Sequence, residues 1–251
     1  MKRPWALVLF LAWGGIALAQ APKDAPAPPG APGPTAPAKA GAPSTAAIAA
    51  PAVAYKPPAR GAPQRRVGGA SRGTSATAPG VSVLAPDHVG YTLEEQPDLY
   101  WFITRASPVR IELTLIDGKS PSPAKEVVLQ GAQSAGIHRF SLREHGVRLA
   151  PDTDYEWSVA VVPDADNRSA DILSGGALRR VAPDPALAAR LQGLEGTARA
   201  AALAEAGIWY DALATLGRQL ESRPLEREAR EARAGLLDQV GLREAAAFER
   251  R

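Results

Sequence analysis

Leu99-Tyr100-Trp101-Phe102-Ile103, Val109-Arg110-Ile111-Glu112-Leu113-Thr114-Leu115 and Leu149-Ala150-Pro151-Asp152-Thr153-Asp154-Tyr155-Glu156-Trp157-Ser158-Val159 fall within one stretch, residues 99–162, and reading it decides the fold. In the second run Val109, Ile111, Leu113 and Leu115 share one face, and Arg110, Glu112 and Thr114 the other. A period of two marks a half-buried strand. The third run repeats it, with Tyr155, Trp157, Val159 and Val161 alternating with Glu156, Ser158 and Ala160. The first run is apolar throughout, as a central strand is. Outward from these lie Val81-Ser82-Val83-Leu84, residues 126–130, residues 137–142 and a last strand within residues 171–181. Asp117-Gly118 and Pro163-Asp164-Ala165-Asp166-Asn167 supply turns. About seven short strands with a turn every ten or so residues predict a mainly β, immunoglobulin-like antiparallel sandwich over residues 81–182.

After Pro183-Asp184-Pro185 the chain turns to Ala, Leu, Glu and Arg, all strong helix formers. Leu213, Leu216 and Leu220 recur at helical spacing, as do Ala229, Ala232, Leu236 and Val240. Gly207-Ile208-Trp209-Tyr210-Asp211-Ala212 and Gly241-Leu242-Arg243-Glu244-Ala245-Ala246 lie 34 residues apart and match at the glycine and the last alanine. With Leu216 and Pro224 this resembles the tetratricopeptide pattern, and residues 183–251 are expected to form a helical hairpin or repeat of that kind. One repeat and part of another cannot stack alone, so the helices are expected to dock on the sandwich, on each other or on a second molecule. Trp209 and Tyr210 are candidates for a surface facing a partner helix, the alternative being that they pack within the tail.

The other end of the chain is built differently. Met1-Lys2-Arg3, an apolar run from Trp5 and the small residues Ala17-Leu18-Ala19 read as a secretory signal peptide over residues 1–19, cleaved before Gln20. An uncleaved anchor is the alternative, although the run falls short of the roughly 20 apolar residues that a spanning helix needs. Residues 21–80 hold 13 of the 24 prolines and almost no large apolar side chains. Such a segment buries too little surface to offset its ordering entropy, so residues 20–80 are expected to be a disordered Pro/Ala-rich spacer. Residues 21–80 carry seven cations against Asp24 alone, a net +6. With Lys2 and Arg3 removed as well, the total of +3 leaves residues 81–251 at −5. The basic character belongs to the N-terminal segment, and the folded part is acidic.

Within that segment, residues 55–73 concentrate Lys56, Arg60, Arg65, Arg66 and Arg72 around Tyr55 and a glycine run. They are candidates for binding an anion or a partner, against the plainer reading of a solubilising basic linker. Tyr55-Lys56-Pro57-Pro58, Arg60-Gly61-Ala62-Pro63, Arg65-Arg66-Val67-Gly68-Gly69 and Arg72-Gly73 resemble the opening signature of a bacterial exported family, the domain of unknown function numbered nine hundred and twenty-eight. Leu84-Ala85-Pro86, Gly90-Tyr91-Thr92 and Tyr100-Trp101-Phe102 continue the match, which covers about residues 55–181; Ala70-Ser71 departs from it. The resemblance implies no enzyme activity and no catalytic residue, and it implies that the basic segment belongs with the domain. Leu149-x-Pro151-x-Thr153-x-Tyr155 resembles the loop and strand start of fibronectin type III and related domains, where a tyrosine hydroxyl ties the strand to the loop before it.

No motif points to catalysis. The absence of cysteine rules out disulfides, thiolate metal sites, a cysteine nucleophile and a lipid anchor on cysteine. His88, His138 and His145 have no second histidine at metal-ligand spacing. No Gly-x-Ser-x-Gly elbow occurs. Glu94-Glu95 would point to opposite faces of an extended chain. The acidic run from Asp164 to Asp171 lacks the glycine and distal glutamate of a calcium loop. Tyr100, Trp101, Phe102 and Trp157 are read as core. The expectation is an exported protein of the periplasm or cell envelope, with no cofactor and no enzyme activity, that binds another envelope protein. The alternative is a binding module for an acidic envelope polymer or lipid headgroup. Export makes nucleic acid a poor partner, and beyond the signal peptide no stretch reads as transmembrane.

Overall fold

The computed structural model describes residues 53–58, 79–118 and 123–251, all within the unit Ile48–Arg251. The signal-peptide reading, most of the spacer and Arg60, Arg65, Arg66 and Arg72 lie outside the described residues. Among the described residues, eight strands come first: β1 (Val81–Val83), β2 (Gly90–Thr92), β3 (Asp98–Ile103), β4 (Arg110–Asp117), β5 (Pro123–Leu129), β6 (Gly136–Ser141), β7 (Asp154–Val162) and β8 (Ile172–Arg180). Five α-helices follow: α1 (Pro185–Leu191), α2 (Gly196–Glu205), α3 (Trp209–Ser222), α4 (Arg227–Gln239) and α5 (Arg243–Glu249).

The strands form two sheets, β1-β3-β6 and β2-β8-β7-β4-β5. Neighbours are antiparallel except β2, which runs parallel to β8. The alternating stretches behave as their period requires. Ile111, Leu113 and Leu115 are buried on β4, and across the ladder Leu113 faces Val159 and Leu115 faces Trp157. The apolar run of β3 has a further cause. Leu99, Trp101 and Ile103 alternate with Tyr100 and Phe102, and all five are buried. One set belongs to the core between the sheets. The other meets the helices, with Tyr100 against Gly217 of α3 and Phe102 5.5 Å from the Phe248 ring of α5. A strand covered on both sides shows no alternation.

At the start of β7 the Tyr155 hydroxyl accepts a hydrogen bond from the Ala150 amide, 3.0 Å away. This is the tie that the Leu149–Tyr155 pattern predicts, and it anchors the loop to the strand.

Asp184 caps α1, its carboxylate accepting from the Ala186 amide, with Pro185 in the first turn. The 34-residue spacing has a direct structural counterpart. Gly207 ends α2 and Gly241 ends α4, with φ of 79° and 76°. Gly207 and Gly241 donate to the Ala204 and Asp238 carbonyls, and the next residues, Ile208 and Leu242, donate to the Leu203 and Leu237 carbonyls. Left-handed backbone favours glycine, and each turn satisfies carbonyls that the helix end would otherwise leave open.

Of the arrangements expected for the tail, docking on the sheets is the one found: its helices share one hydrophobic core with them. One expectation needs correction: residues 53–58 are not spacer. They lie on the fold, with Val53 and Tyr55 buried, because a large aromatic finds there an apolar pocket that proline-rich chain cannot provide.

Candidate functional site

The chemistry-bearing residues gather where the N-terminus of α3 meets the sheets. Trp209 and Tyr210 are both 0 % exposed. Trp209 Nε1 donates to the Leu84 carbonyl at 2.9 Å. Trp157 Nε1 donates to the Tyr210 hydroxyl at 3.0 Å, and that hydroxyl donates to the Ala177 carbonyl at 2.9 Å. Burial pushes the Tyr210 phenol well above its usual range. Their expected role as a surface for a partner helix is therefore corrected. The partners these rings meet are the strands of the same chain and the residue after β1, since buried indole and phenol groups need hydrogen-bond partners and Leu84 and Ala177 supply carbonyls. Gly90 of β2 makes room for this contact: a Cβ there would lie 2.7 Å from Tyr210 Cε2.

Asp211 follows. It is buried, accepting from Thr92 Oγ1 at 2.5 Å and from the Leu93 amide at 2.9 Å. Desolvation raises its pKa to about 6, against the two donors, which favour the carboxylate. Beside it opens a cleft of about 360 Å³ between α3 and the β3–β6 edge, with Glu94, Asp98, Arg139, Arg143 and Arg218 in its wall. Arg139 reaches Asp98 at 3.0 Å, Glu144 at 2.6 Å and Glu221 at 3.2 Å, and Arg218 reaches Asp98 at 3.3 Å. An anion meeting Arg139 or Arg218 in this cleft would compete with the carboxylates they already hold.

The histidines are dispersed. His88 Nδ1 lies 3.0 Å from Asp87, which leaves Nε2 to accept from the Tyr55 hydroxyl at 2.8 Å. His138 stacks on Trp101 with ring centres 4.5 Å apart, and His145 on Phe140 at 4.3 Å. Among the described residues no group of three or more His, Asp or Glu is placed to hold a metal ion. Glu95 pairs with Arg148, and Asp171 with Arg168. No helix among the described residues is long and apolar enough to cross a membrane.

Of the basic-segment candidates, Lys56 is described. Its side chain is exposed, 3.8 Å from Glu205, and its amide donates to the Ala204 carbonyl at 3.1 Å. The residues around it form a strap across the ends of α2 and α4. The Gln239 carboxamide receives the Tyr55 amide at 2.8 Å and donates to the Val53 carbonyl at 2.8 Å, as a neighbouring strand would. The Tyr55 ring meets Trp209 edge-on, with centres 4.9 Å apart, and stacks on His88. Gly207 completes the seat, since a Cβ there would lie 3.0 Å from the Lys56 carbonyl.

Sequence reasoning missed Asp211, Gln239 and Gly217. A usable signal existed for two of them. Asp211 sits in the run Trp209–Leu216, otherwise free of charge, and Gly217 interrupts a strong helix where only close approach favours glycine.

The family model described as Domain of Unknown Function (DUF928) matches residues 67–249. The match begins inside the basic segment, past the Tyr55–Pro58 and Arg60–Pro63 motifs with which the resemblance opens, and runs through both sheets and all five helices, well beyond residue 181. No curated protein matches the chain.

Proposed function

The chain belongs to the DUF928 family, and on that premise we propose that it is an exported, non-catalytic protein of the cell envelope that works by binding another envelope protein. One observation carries this reading. The outer face of the five-stranded sheet exposes Ile116 (38 %), Val128 (37 %) and Leu173 (45 %) on three strands. Val128 and Leu173 lie in one cross-strand row with Ala160 and Glu112 between them, Glu112 holding Arg110 and Arg168; Glu126, Thr114, Ser158 and Gly175 form the next row, and Ile116 stands in the one beyond. Among the described residues no strand pairs with the outer side of β5, at the end of this sheet. Apolar side chains spaced over a sheet face beside an edge strand offer contact points to another protein.

The finer fold reading belongs to the same proposal. An immunoglobulin-like class is supported by the division of the first strands, β1 in one sheet and β2 parallel to β8 in the other, and by the tie from Tyr155 to Ala150. A tetratricopeptide-like class for α2–α5 is supported by the matching turns at Gly207 and Gly241. Export rests on the signal-peptide pattern of residues 1–19.

The test is capture from envelope extract with the full chain, beside the triple variant Ile116→Lys, Val128→Lys, Leu173→Lys. The reading expects a saturable partner held by the first and lost by the second. Absence of a saturable partner, or equal capture by both, contradicts it. Deletion of the helices is not a usable control, because they share the core of the sandwich.

A further inference from the structure

The strap meets the fold in the manner of a bound peptide. Its backbone is extended, and it bonds through main-chain groups, from the Tyr55 and Lys56 amides and to the Val53 carbonyl. Its side-chain anchors alternate, Val53 and Tyr55 buried and Ala54 and Lys56 exposed. Pro58 lies with its Cδ 3.3 Å from the Cβ position of Gly207. The seat is assembled from four parts of the fold, each fixed by other bonds. Trp209 is held by Leu84, the Gly207 turn by its own helix, and His88 by Asp87. Gln239 is steadied by the Gly235 carbonyl at 2.9 Å. None of these supports needs the strap. Twenty residues of chain separate Pro58 from Pro79.

We propose that the seat formed by His88, Gly207, Trp209 and Gln239 is a recognition site for an extended segment of a partner protein with the pattern Val-x-Tyr-x-x-Pro, and that residues 53–58 occupy it in cis until such a segment displaces them. The chemistry of the ligand is read from its resident. A small branched residue fills the first position. An aromatic hydroxyl donates to His88 Nε2, two residues further on. A proline three residues beyond that needs no amide partner and keeps the segment extended. The tether gives the resident an effective concentration that a free ligand must overcome. This site is separate from the outer sheet face, and neither depends on the other.

The test uses the full chain and a fluorescein-labelled peptide of residues 51–60, read by fluorescence anisotropy. The variant Val53→Ala/Tyr55→Ala, with the cis segment weakened, is expected to bind the peptide saturably. Wild type is expected to bind at least tenfold more weakly. A peptide carrying Tyr55→Ala is expected not to bind, and adding Gln239→Ala to the opened chain to weaken binding at least fivefold. Equal binding by wild type and the opened chain overturns the proposal, as does no binding by an opened chain with unchanged circular dichroism. Failure of the opened chain to fold also overturns it, because the strap would then be part of the fold. A second arm uses the absence of native cysteine. The bond from Lys56 to Ala204 brings residue 56 close to residue 205, so Lys56→Cys/Glu205→Cys can lock the strap. Oxidation should abolish the residual wild-type binding, and reduction should restore it. Binding unchanged by the lock refutes displacement. Dimers of wild type that the peptide dissolves would assign the seat to a second copy, against the proposal.

Discussion

Gly217→Ala should destabilise the protein, although the same change in an exposed helix stabilises it. Gly217 lies within α3 and faces Tyr100 of β3. At an ordinary interior helix position, alanine gains about 1 kcal/mol over glycine. Here the new Cβ would stand 2.5 Å from Tyr100 Cζ and 2.9 Å from Cε1, and closer still to the hydroxyl oxygen. Comfortable carbon contacts begin near ~3.5 Å, so about 1 Å must be found. Tyr100 cannot supply it, being central in its sheet and 2 % exposed. Overpacking of this kind costs roughly 1–3 kcal/mol, which leaves a net loss of about 1 kcal/mol after the propensity gain. Tyr100→Phe gives the complementary arm. The Tyr100 hydroxyl is buried without a hydrogen-bond partner, so its removal should be neutral or stabilising by up to about 1 kcal/mol. Because that oxygen is the nearest obstacle, the double variant should recover part of the loss, with a coupling of ~1 kcal/mol. Equilibrium urea unfolding measures all four proteins, with the midpoint shifting and the slope unchanged. If Gly217→Ala raises the midpoint, or if the two substitutions simply add, α3 does not sit on β3 as described.

Tyr210→Phe should cost about 1–3 kcal/mol, since it leaves the buried Trp157 N–H without its acceptor; a Tm unchanged within 1–2 °C would refute the junction, where roughly 2–4 °C per kcal/mol is expected for a chain of this size. Tyr155→Phe removes the acceptor of the Ala150 amide and should cost ~1 kcal/mol, read by the same unfolding curve. For Asp211 the folded-state pKa is raised, to about 6 from 3.8. Its contribution to stability is therefore fully present below about pH 4 and is lost as pH rises through 6, a change of about 3 kcal/mol. Stability measured against Asp211→Asn, which has no such titration, should fall over that window; a flat difference between pH 4 and 7 would count against the buried carboxyl.

The parts of this fold that could be read from the chain are those with a local period. Ile111, Leu113 and Leu115 alternate because one side of β4 faces the core and the other does not. Leu149-x-Pro151-x-Thr153-x-Tyr155 is legible because the tie to Ala150 closes within six residues. β2 escaped notice, since Gly90-Tyr91-Thr92 is too short for a period and pairs in parallel with residues 178–180. The helices were legible as helices, but not their partner. The Leu213–Leu220 spacing shows that a face is buried, and nothing in it says that Gly90, Leu84 and Ala177 lie opposite. The strap was the least legible part. A single tyrosine among prolines has no period, and its partners His88, Trp209 and Gln239 lie 33 to 184 residues away in sequence. The reading of Trp209 and Tyr210 as a docking surface found the right pair and the wrong partner, because periodicity reports burial and not what does the burying.

The central claim is that the sheets and the helices are a single cooperative structure, joined through Trp209, Tyr210 and Asp211. Urea unfolding of the full chain, followed together by circular dichroism at 222 nm for the helices and by tryptophan emission for the core, tests it most directly. Superimposable curves with one midpoint are predicted. Helical signal lost in a separate, earlier transition, with the tryptophan environment intact, would contradict it.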